Sequence, residues 1–162
     1  MLYIEWCRHD KQMKVITSTG LRMVECDCTV RNEINGWRKL GVPGEVVHAI
    51  TKDNVLTKVP VMPRPFPVGV WKITGAVVRR DKYRWPYLIT TNAWQELDVW
   101  ELDRYGGYLR NSGQTVFDYQ YGLHYSESNT TTGCIKIHDV QDLRWLVGQL
   151  KFEQNSTIEV VE

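Results

Sequence analysis

Apolar and polar residues alternate over most of the first thirty positions, which is the period of a β-strand with one buried face. The alternation is interrupted at residues 9–11 and 19–20, where residues typical of turns occur. The pattern therefore predicts three consecutive strands, over residues 2–7, 13–18 and 21–30. Alternating β-branched, aromatic and polar residues predict further strands over residues 68–74, 75–80, 87–94, 96–102, 135–137 and 156–161.

One later segment has the period of an α-helix. Asp139 precedes this segment and can cap the helix through its carboxylate. The apolar side chains that follow recur on a single helical face, at positions Val140, Leu143, Leu146, Val147 and Leu150. The pattern predicts one amphipathic helix within residues 138–152.

Residues 31–60 keep neither period, because glycines and Pro43 interrupt any long helix and no alternation is sustained. We expect an irregular insertion there, with one short helix at most. The glycines within residues 106–113 likewise indicate a turn. The other elements predict a mainly β fold with one helix. We expect a single domain over residues 1–162, since this length suits one domain and no shift in composition marks a boundary.

Charge and hydropathy narrow the classes of partner. The 20 basic and 19 acidic side chains leave a net charge of +1, which provides no overall field to attract nucleic acid or an anionic membrane. No apolar run approaches the roughly 18 residues that span a bilayer. The first residues lack the basic and then apolar segments of a signal peptide. We therefore expect no nucleic-acid partner, no membrane span and no signal peptide in this chain.

The most reactive side-chain types lie close together in YGLHYSESNTTTGCIKIHD, residues 121–139. Cys134 follows Gly133 at the predicted start of a strand, where the two adjacent amides are placed to bind an oxyanion. His124 can take the thiol proton if the polar residues between them fold back as a loop. The carbonyl of Tyr125 can orient the imidazole by accepting its Nδ1 proton. The alternative is a buried structural cysteine and a solvent-facing histidine.

The segment HYSESNTTTGCIKI resembles the signature of the L,D-transpeptidase catalytic domain family, in which a histidine precedes a Ser/Thr-x-Gly-Cys segment. PRPFPVGVWKI and IEWCRHDKQMKVITSTG resemble upstream strands of that family, in the family's order. The resemblance implies an L,D-transpeptidase-like β-sandwich or barrel with one helix, in which Cys134 is the nucleophile and His124 the base. It implies neither a metal nor an organic cofactor. The residues that would bind substrate are Lys136, Thr132, Thr131 and Ser126.

The implied substrate is the peptidoglycan stem peptide. Cys134 would attack the tetrapeptide stem at the bond between diaminopimelate and D-alanine and form a thioester, which an amine or water then resolves. The reaction would take place in the bacterial periplasm or cell wall. Because the chain shows no signal peptide, we expect secretion or delivery by another route.

Two departures from the family pattern concern substrate specificity. The family often has histidine at the position of Thr132 and arginine at that of Lys136, and a lysine cannot form the bidentate contact of an arginine. The loop between His124 and Cys134 is short and resembles that of compact secreted antibacterial effectors, for which an immunity or delivery protein would be a partner. A trimming hydrolase, a phage lysis enzyme and a non-catalytic wall-binding module therefore stay as alternatives.

Two other segments allow competing interpretations. Cys26 and Cys28 would project to one face of a strand, and with Cys7 they could ligate zinc, although no fourth ligand is evident. Residues 77–87 interleave basic and aromatic side chains as single-strand nucleic-acid binders do. A solvated hairpin explains that segment more simply, given the balanced net charge.

Overall fold

The computed structural model describes residues 1–30, 45–50, 56–78, 86–104, 108–127, 131 and 133–162. In these residues the chain forms β-strands and one helix, α1, over Val140–Leu150. The prediction of a mainly β fold with one late helix is confirmed. The strands are β1 (Tyr3–Cys7), β2 (Gln12–Thr17), β3 (Gly20–Asp27), β4 (Glu45–Ile50), β5 (Leu56–Val61), β6 (Gly69–Val78), β7 (Tyr87–Thr91), β8 (Gln95–Leu102), β9 (Tyr108–Asp118), β10 (Gly122–Tyr125), β11 (Ile135–Ile137) and β12 (Thr157–Val161).

Eight of these strands close into a barrel, which we call the large barrel. Its strand order is β1, β12, β6, β7, β10, β11, β3 and β2, and β2 pairs with β1 to complete the ring. Two of the pairs are parallel, β1 with β12 and β10 with β11. The second parallel pair concerns the predicted site, because it sets the strand of His124 beside the strand that follows Cys134.

The interior of the large barrel is apolar. Ile4 and Trp6 of β1 and Ile158 of β12 are at most 2% exposed, and all belong to one buried cluster. The alternation read from the sequence thus matches the strand period, with every second side chain directed inward. Burying each such side chain contributes roughly 1.5–3 kcal/mol, so this cluster supplies much of the stability of the barrel.

Helix α1 packs against β6, β10 and β11 of the large barrel. Leu143 and Leu146 are fully buried in the same apolar cluster, as the predicted helical face requires. Asp139 accepts a hydrogen bond from the amide of Gln141 at 2.8 Å and caps the first turn, which confirms the cap predicted from the sequence.

A second, smaller closed barrel consists of β4, β5, β8 and β9. We call it the small barrel. Its buried cluster consists of Val61, Leu97 and Val116, with Val99 packed against them. The expected irregular insertion is wrong for residues 45–50 and 56–60, which belong to β4 and β5. Residues 31–44 and 51–55 lie outside the described chain.

The missed strands share a physical cause. β4 and β5 pair mainly with each other, over six residue pairs, and through single residue pairs with β9 and β8. The glycines and Pro43 that indicated an irregular segment all precede β4, and they were given more weight than the β-branched residues that follow. The predicted turn over residues 106–113 is also wrong from residue 108 onward, because β9 begins there. Its ladder with β8 passes from Val99–Gln114 to Trp100–Asn111, so residues 112 and 113 form a bulge. The glycine that suggested a turn is accommodated in that bulge.

No helix in the described part of the chain has the length and apolar character needed to cross a membrane.

Candidate functional site

The parallel pairing of β10 with β11 organises the candidate site. Leu123 lies opposite Ile135, and both are fully buried in the core of the large barrel. The next pair is His124 with Lys136, which the alternation of the strands directs to the opposite face of the sheet. The histidine predicted as the base is therefore held on a regular strand rather than on a loop.

Cys134 lies immediately before β11 and is a half-buried cysteine that forms no disulfide bond. Its S–H donates to the carbonyl of Gln120, with Sγ 3.7 Å from the oxygen. Cys134 is two positions from Lys136, so continuing the alternation of β11 we expect the sulfur on the face that His124 shares. The predicted loop-to-strand junction is confirmed for this residue.

His124 is half-buried, and its Nδ1 lies 3.0 Å from the carbonyl oxygen of Tyr125. A carbonyl can only accept a hydrogen bond, so this contact requires the proton on Nδ1 and leaves Nε2 unprotonated in the neutral ring. Nε2 is then the nitrogen able to take a proton from a thiol. The contact itself is the one that the sequence analysis predicted, and the catalytic role of the pair stays a prediction.

Gly133 is enclosed on the side where a side chain would project. Its φ is +141°, and a Cβ would lie 2.6 Å from the ring of Tyr121 and 3.0 Å from the carbonyl of Arg64. The position therefore requires glycine for both conformation and space. The Gly133 amide donates to Oγ1 of Thr131 at 3.3 Å. To act as the predicted oxyanion donor, the Gly133 amide would have to leave Thr131 and donate to the substrate oxygen instead.

Cys28 lies directly behind the segment that carries the candidate nucleophile. Its Sγ is 3.2 Å from the carbonyl oxygen of Gly133 and 3.3 Å from that of Cys134. The amide of Phe66 donates to the same sulfur at 3.3 Å. Burial raises the pKa of Cys28 to about 12, against the opposing effect of the Phe66 amide, so this thiol keeps its proton at neutral pH.

A second group of polar side chains holds the segment that contacts the thiol of Cys134. Asp118 is 2% exposed and accepts a hydrogen bond from the amide of Gln120 at 3.0 Å. Burial raises the pKa of Asp118, while hydrogen bonds from Gln120 and from the side chain of Tyr121 oppose the shift. Gln95 donates to the hydroxyl of Tyr121 at 2.7 Å and to the carbonyl of Pro65 at 3.0 Å. The carbonyl that receives the Cys134 S–H is thus part of a fixed network.

The residues predicted to bind substrate differ in accessibility. Lys136 is only 3% exposed. It could act as the predicted substrate anchor only if substrate reached this buried side chain. Ser126 is half-buried, and Thr131 is half-buried with its hydroxyl on the Gly133 amide. Thr132 lies outside the described residues.

The sequence analysis did not find Cys28, Asp118, Tyr121 or Gln95 as part of this site. Asp118 gives only a weak signal in the sequence. An aspartate side chain often accepts a hydrogen bond from the backbone amide two residues later, so the residue type alone does not indicate a site. The contacts of Cys28 with Gly133, and of Gln95 with Tyr121 and Pro65, join residues more than 25 positions apart, and no local pattern indicates them.

The competing zinc interpretation has no support in the described residues, where no group of His, Cys, Asp or Glu is placed to hold a metal ion. Cys26 and Cys28 do share a buried face of the barrel. Burial raises the pKa of Cys26 to about 12, so its thiol also stays protonated. Most of the basic and aromatic segment 77–87 lies outside the described chain.

Comparison with known proteins does not identify a family for this chain. No protein-family model, curated protein or solved structure matches it. The L,D-transpeptidase resemblance therefore rests on the motif and on the order of the segments around it.

Proposed function

We propose that the protein is a cysteine acyl-transfer enzyme of the L,D-transpeptidase type that acts on peptidoglycan stem peptides. The observation that carries the proposal is the pairing of β10 with β11, which sets His124 one strand away from the segment of Cys134. The hydrogen bond of His124 to the Tyr125 carbonyl adds support, because it fixes the tautomer that a general base needs.

The chemistry follows from the two side chains. His124 Nε2 takes the proton of Cys134, and the thiolate attacks the carbonyl carbon of the third stem residue. A carbon–sulfur bond forms while the carbonyl π electrons move to oxygen. Collapse of this intermediate breaks the carbon–nitrogen bond, and the D-alanine amine leaves with the proton held by His124. The product is a thioester on Cys134.

Either an amine or water resolves the thioester. An amine from a second stem peptide gives a cross-link and makes the protein a transpeptidase, whereas water gives a trimmed tripeptide and makes it an L,D-carboxypeptidase. Both reactions use the same two residues and need no metal or organic cofactor. Peptidoglycan places the activity in the bacterial periplasm or wall, and an antibacterial role would add an immunity or delivery protein as partner.

The test is incubation of the protein with purified tetrapeptide muropeptides and analysis of the products by mass spectrometry. Cys134→Ala should lower turnover by about 10⁴-fold or more, because the nucleophile is lost. Cys7→Ser is the matched control, since Cys7 is another half-buried cysteine that forms no disulfide bond but lies at the end of β1. It should keep full activity.

The products separate the alternatives. Cysteine-dependent dimers indicate cross-linking, and tripeptides without dimers indicate hydrolysis. Muropeptides that bind to both the wild-type protein and Cys134→Ala but remain unchanged would indicate a non-catalytic wall-binding module and would overturn the proposal.

A further inference from the structure

We propose that Cys28 is a positioning residue that aims the amide of Cys134 at the oxyanion formed during acyl transfer. The inference rests on the proposed function and identifies which amide supplies the oxyanion contact and what holds it. Cys28 does not touch substrate in this scheme. It acts through the backbone of the nucleophile.

The contacts of Cys28 join three segments of the chain. Its sulfur lies at hydrogen-bond distance from the carbonyls of Gly133 and Cys134 and accepts from the amide of Phe66. Cys28 itself is 5% exposed and belongs to the core cluster of the large barrel. The thiol is therefore fixed by packing, and the backbone at the nucleophile is fixed against it.

The contact of Cys28 with the Gly133 carbonyl fixes the direction of the Cys134 N–H, because both groups belong to one planar peptide unit. In a trans peptide the C=O of one residue and the N–H of the next point in opposite directions. Because the Gly133 carbonyl points inward to the sulfur of Cys28, the N–H of Cys134 must point away from the core. The contact to the Cys134 carbonyl fixes the following peptide plane as well. The α-carbon of the nucleophile is thus held between two oriented planes.

That orientation suits the chemistry at Cys134. When the thiolate adds to a carbonyl carbon, the carbonyl oxygen takes the displaced electron pair and becomes an oxyanion beside the sulfur. The Cys134 N–H belongs to the attacking residue and points outward, on the peptide unit whose carbonyl contacts Cys28. This orientation makes the Cys134 N–H the backbone donor. As the intermediate collapses, the carbonyl re-forms and the leaving group departs with the proton from His124.

A buried protonated thiol is suited to this task. Its single S–H proton is shared between two carbonyl oxygens, while its lone pair accepts from Phe66. The raised pKa of Cys28 keeps that proton in place through neutral pH. A thiolate there would repel both carbonyl oxygens and release the peptide plane.

The experiment compares acylation with alkylation at Cys134 in a Cys7→Ser background. p-Nitrophenyl acetate reports acylation through a burst of p-nitrophenolate, and iodoacetamide reports thiol reactivity without forming an oxyanion. Mass spectrometry of peptides assigns both products to Cys134. Cys28→Ala and Cys28→Val remove the donor and leave or fill the space of the thiol, and Cys28→Ser restores a donor.

The matched control is Cys26→Ala. Cys26 is a fully buried cysteine on β3, two positions before Cys28, and its sulfur contacts the carbonyl of Asp10 rather than the Gly133–Cys134 segment. If Cys28 positions the oxyanion donor, Cys28→Ala or Cys28→Val lowers the acylation rate by about 10- to 100-fold, less than outright loss of a donor. Alkylation stays within about twofold of wild type, and Cys28→Ser and Cys26→Ala keep acylation within about threefold.

Four outcomes would overturn the inference. Acylation that is unchanged in the folded Cys28 variants would show that the thiol positions nothing. A parallel fall in alkylation and acylation would indicate a general structural loss, as would an equal effect of Cys26→Ala. If p-nitrophenyl acetate does not acylate Cys134 in the wild-type protein, Cys134 is not a nucleophile and has no oxyanion to stabilise. If Cys134 is acylated but muropeptides are not turned over, the proposed substrate is wrong. The acylation and alkylation rates of the Cys28 variants still test the role of Cys28 in that case.

Discussion

The two barrels differ most in what they enclose. The large barrel surrounds an extensive apolar cluster that includes three residues of α1, whereas the small barrel has a buried cluster of Val61, Leu97 and Val116 in the described residues. Cys134 and His124 lie on strands of the large barrel or next to them. Among the described side chains, the candidate site therefore lies on the barrel with the larger buried cluster, which suits precise placement of reacting groups.

The small barrel nevertheless reaches the site. Gln95 at the start of β8 pairs with Asp118 at the end of β9, and both side chains contact Tyr121. Asp118 also holds the amide of Gln120, whose carbonyl contacts the Cys134 thiol. The two barrels therefore contribute differently to the site: the large barrel carries the proposed reacting groups, and one end of the small barrel orients a neighbouring segment.

The largest effect that would sharpen this comparison is on catalysis. His124→Gln removes the proposed base from the large barrel and should lower the rate of thioester formation by about 10²- to 10⁴-fold. His138→Gln is the matched control, because His138 is exposed just before α1. The rates are measured by stopped-flow detection of Cys134 acylation with p-nitrophenyl acetate. Equal rates for the two variants would contradict the role of His124.

A matched pair of leucines compares the two cores. Leu123 of β10 and Leu97 of β8 are both fully buried, one in each barrel. Replacing a buried leucine by alanine costs about 2–5 kcal/mol, and the cost rises when the surroundings cannot collapse into the cavity. We expect Leu123→Ala near the upper end of that range and Leu97→Ala near the lower end.

Urea denaturation and amide hydrogen exchange measure this difference. Leu97→Ala should loosen β4, β5, β8 and β9 while the amides of the large barrel stay protected. Equal loss of protection in both barrels would show that they unfold as one cooperative unit. The two cores would then not be separate units of stability.

Local patterns in the sequence predict the elements whose signals are local. Helix α1 with its Asp139 cap is one example, and the contact of His124 with the carbonyl of the next residue is another. β4 and β5 were missed although they pair mainly with each other, because the glycines and Pro43 just before them were taken to make the whole of residues 31–60 irregular. Cys28 was missed for a different reason, since its contacts with Gly133 and Cys134 join residues more than 100 positions apart.

Two glycines test how tightly the site region is packed. A Cβ on Gly122 of β10 would lie 2.4 Å from the carbonyl oxygen of Ile89, so Gly122→Ala must displace backbone and should destabilise the protein by about 1–3 kcal/mol. Gly148 of α1 has open space at this position, and Gly148→Ala should stabilise the protein by about 0.5–1 kcal/mol through helix propensity. Thermal unfolding measures both. A neutral Gly122→Ala would show that β7 and β10 can separate without cost.

The smallest predicted effect on stability comes from one ion pair in each barrel. In the large barrel, Asp27 accepts from Lys11 at 2.8 Å and from the hydroxyl of Thr29 at 2.6 Å. Burial alone would raise its pKa, but these hydrogen bonds outweigh burial and lower the pKa from 3.8 to about 2. In the small barrel, Arg110 pairs with Glu101 where both side chains are substantially exposed.

A lowered pKa in the folded state stabilises the protein above the unfolded pKa and ceases to do so as the pH falls through the folded one. The contribution of Asp27 is thus complete above about pH 5 and lost between about pH 4 and 2, and solvent screening of the exposed Lys11 limits it to about 1 kcal/mol. Asp27→Asn should cost that much at pH 7 and almost nothing near pH 2, when urea midpoints are compared with wild type. Glu101→Gln should change stability by about 0.5 kcal/mol or less at either pH, and less still at high salt. A cost of Asp27→Asn that stays undiminished at pH 2 would assign it to lost packing, because the stabilisation from the Asp27 charge is almost entirely lost at that pH.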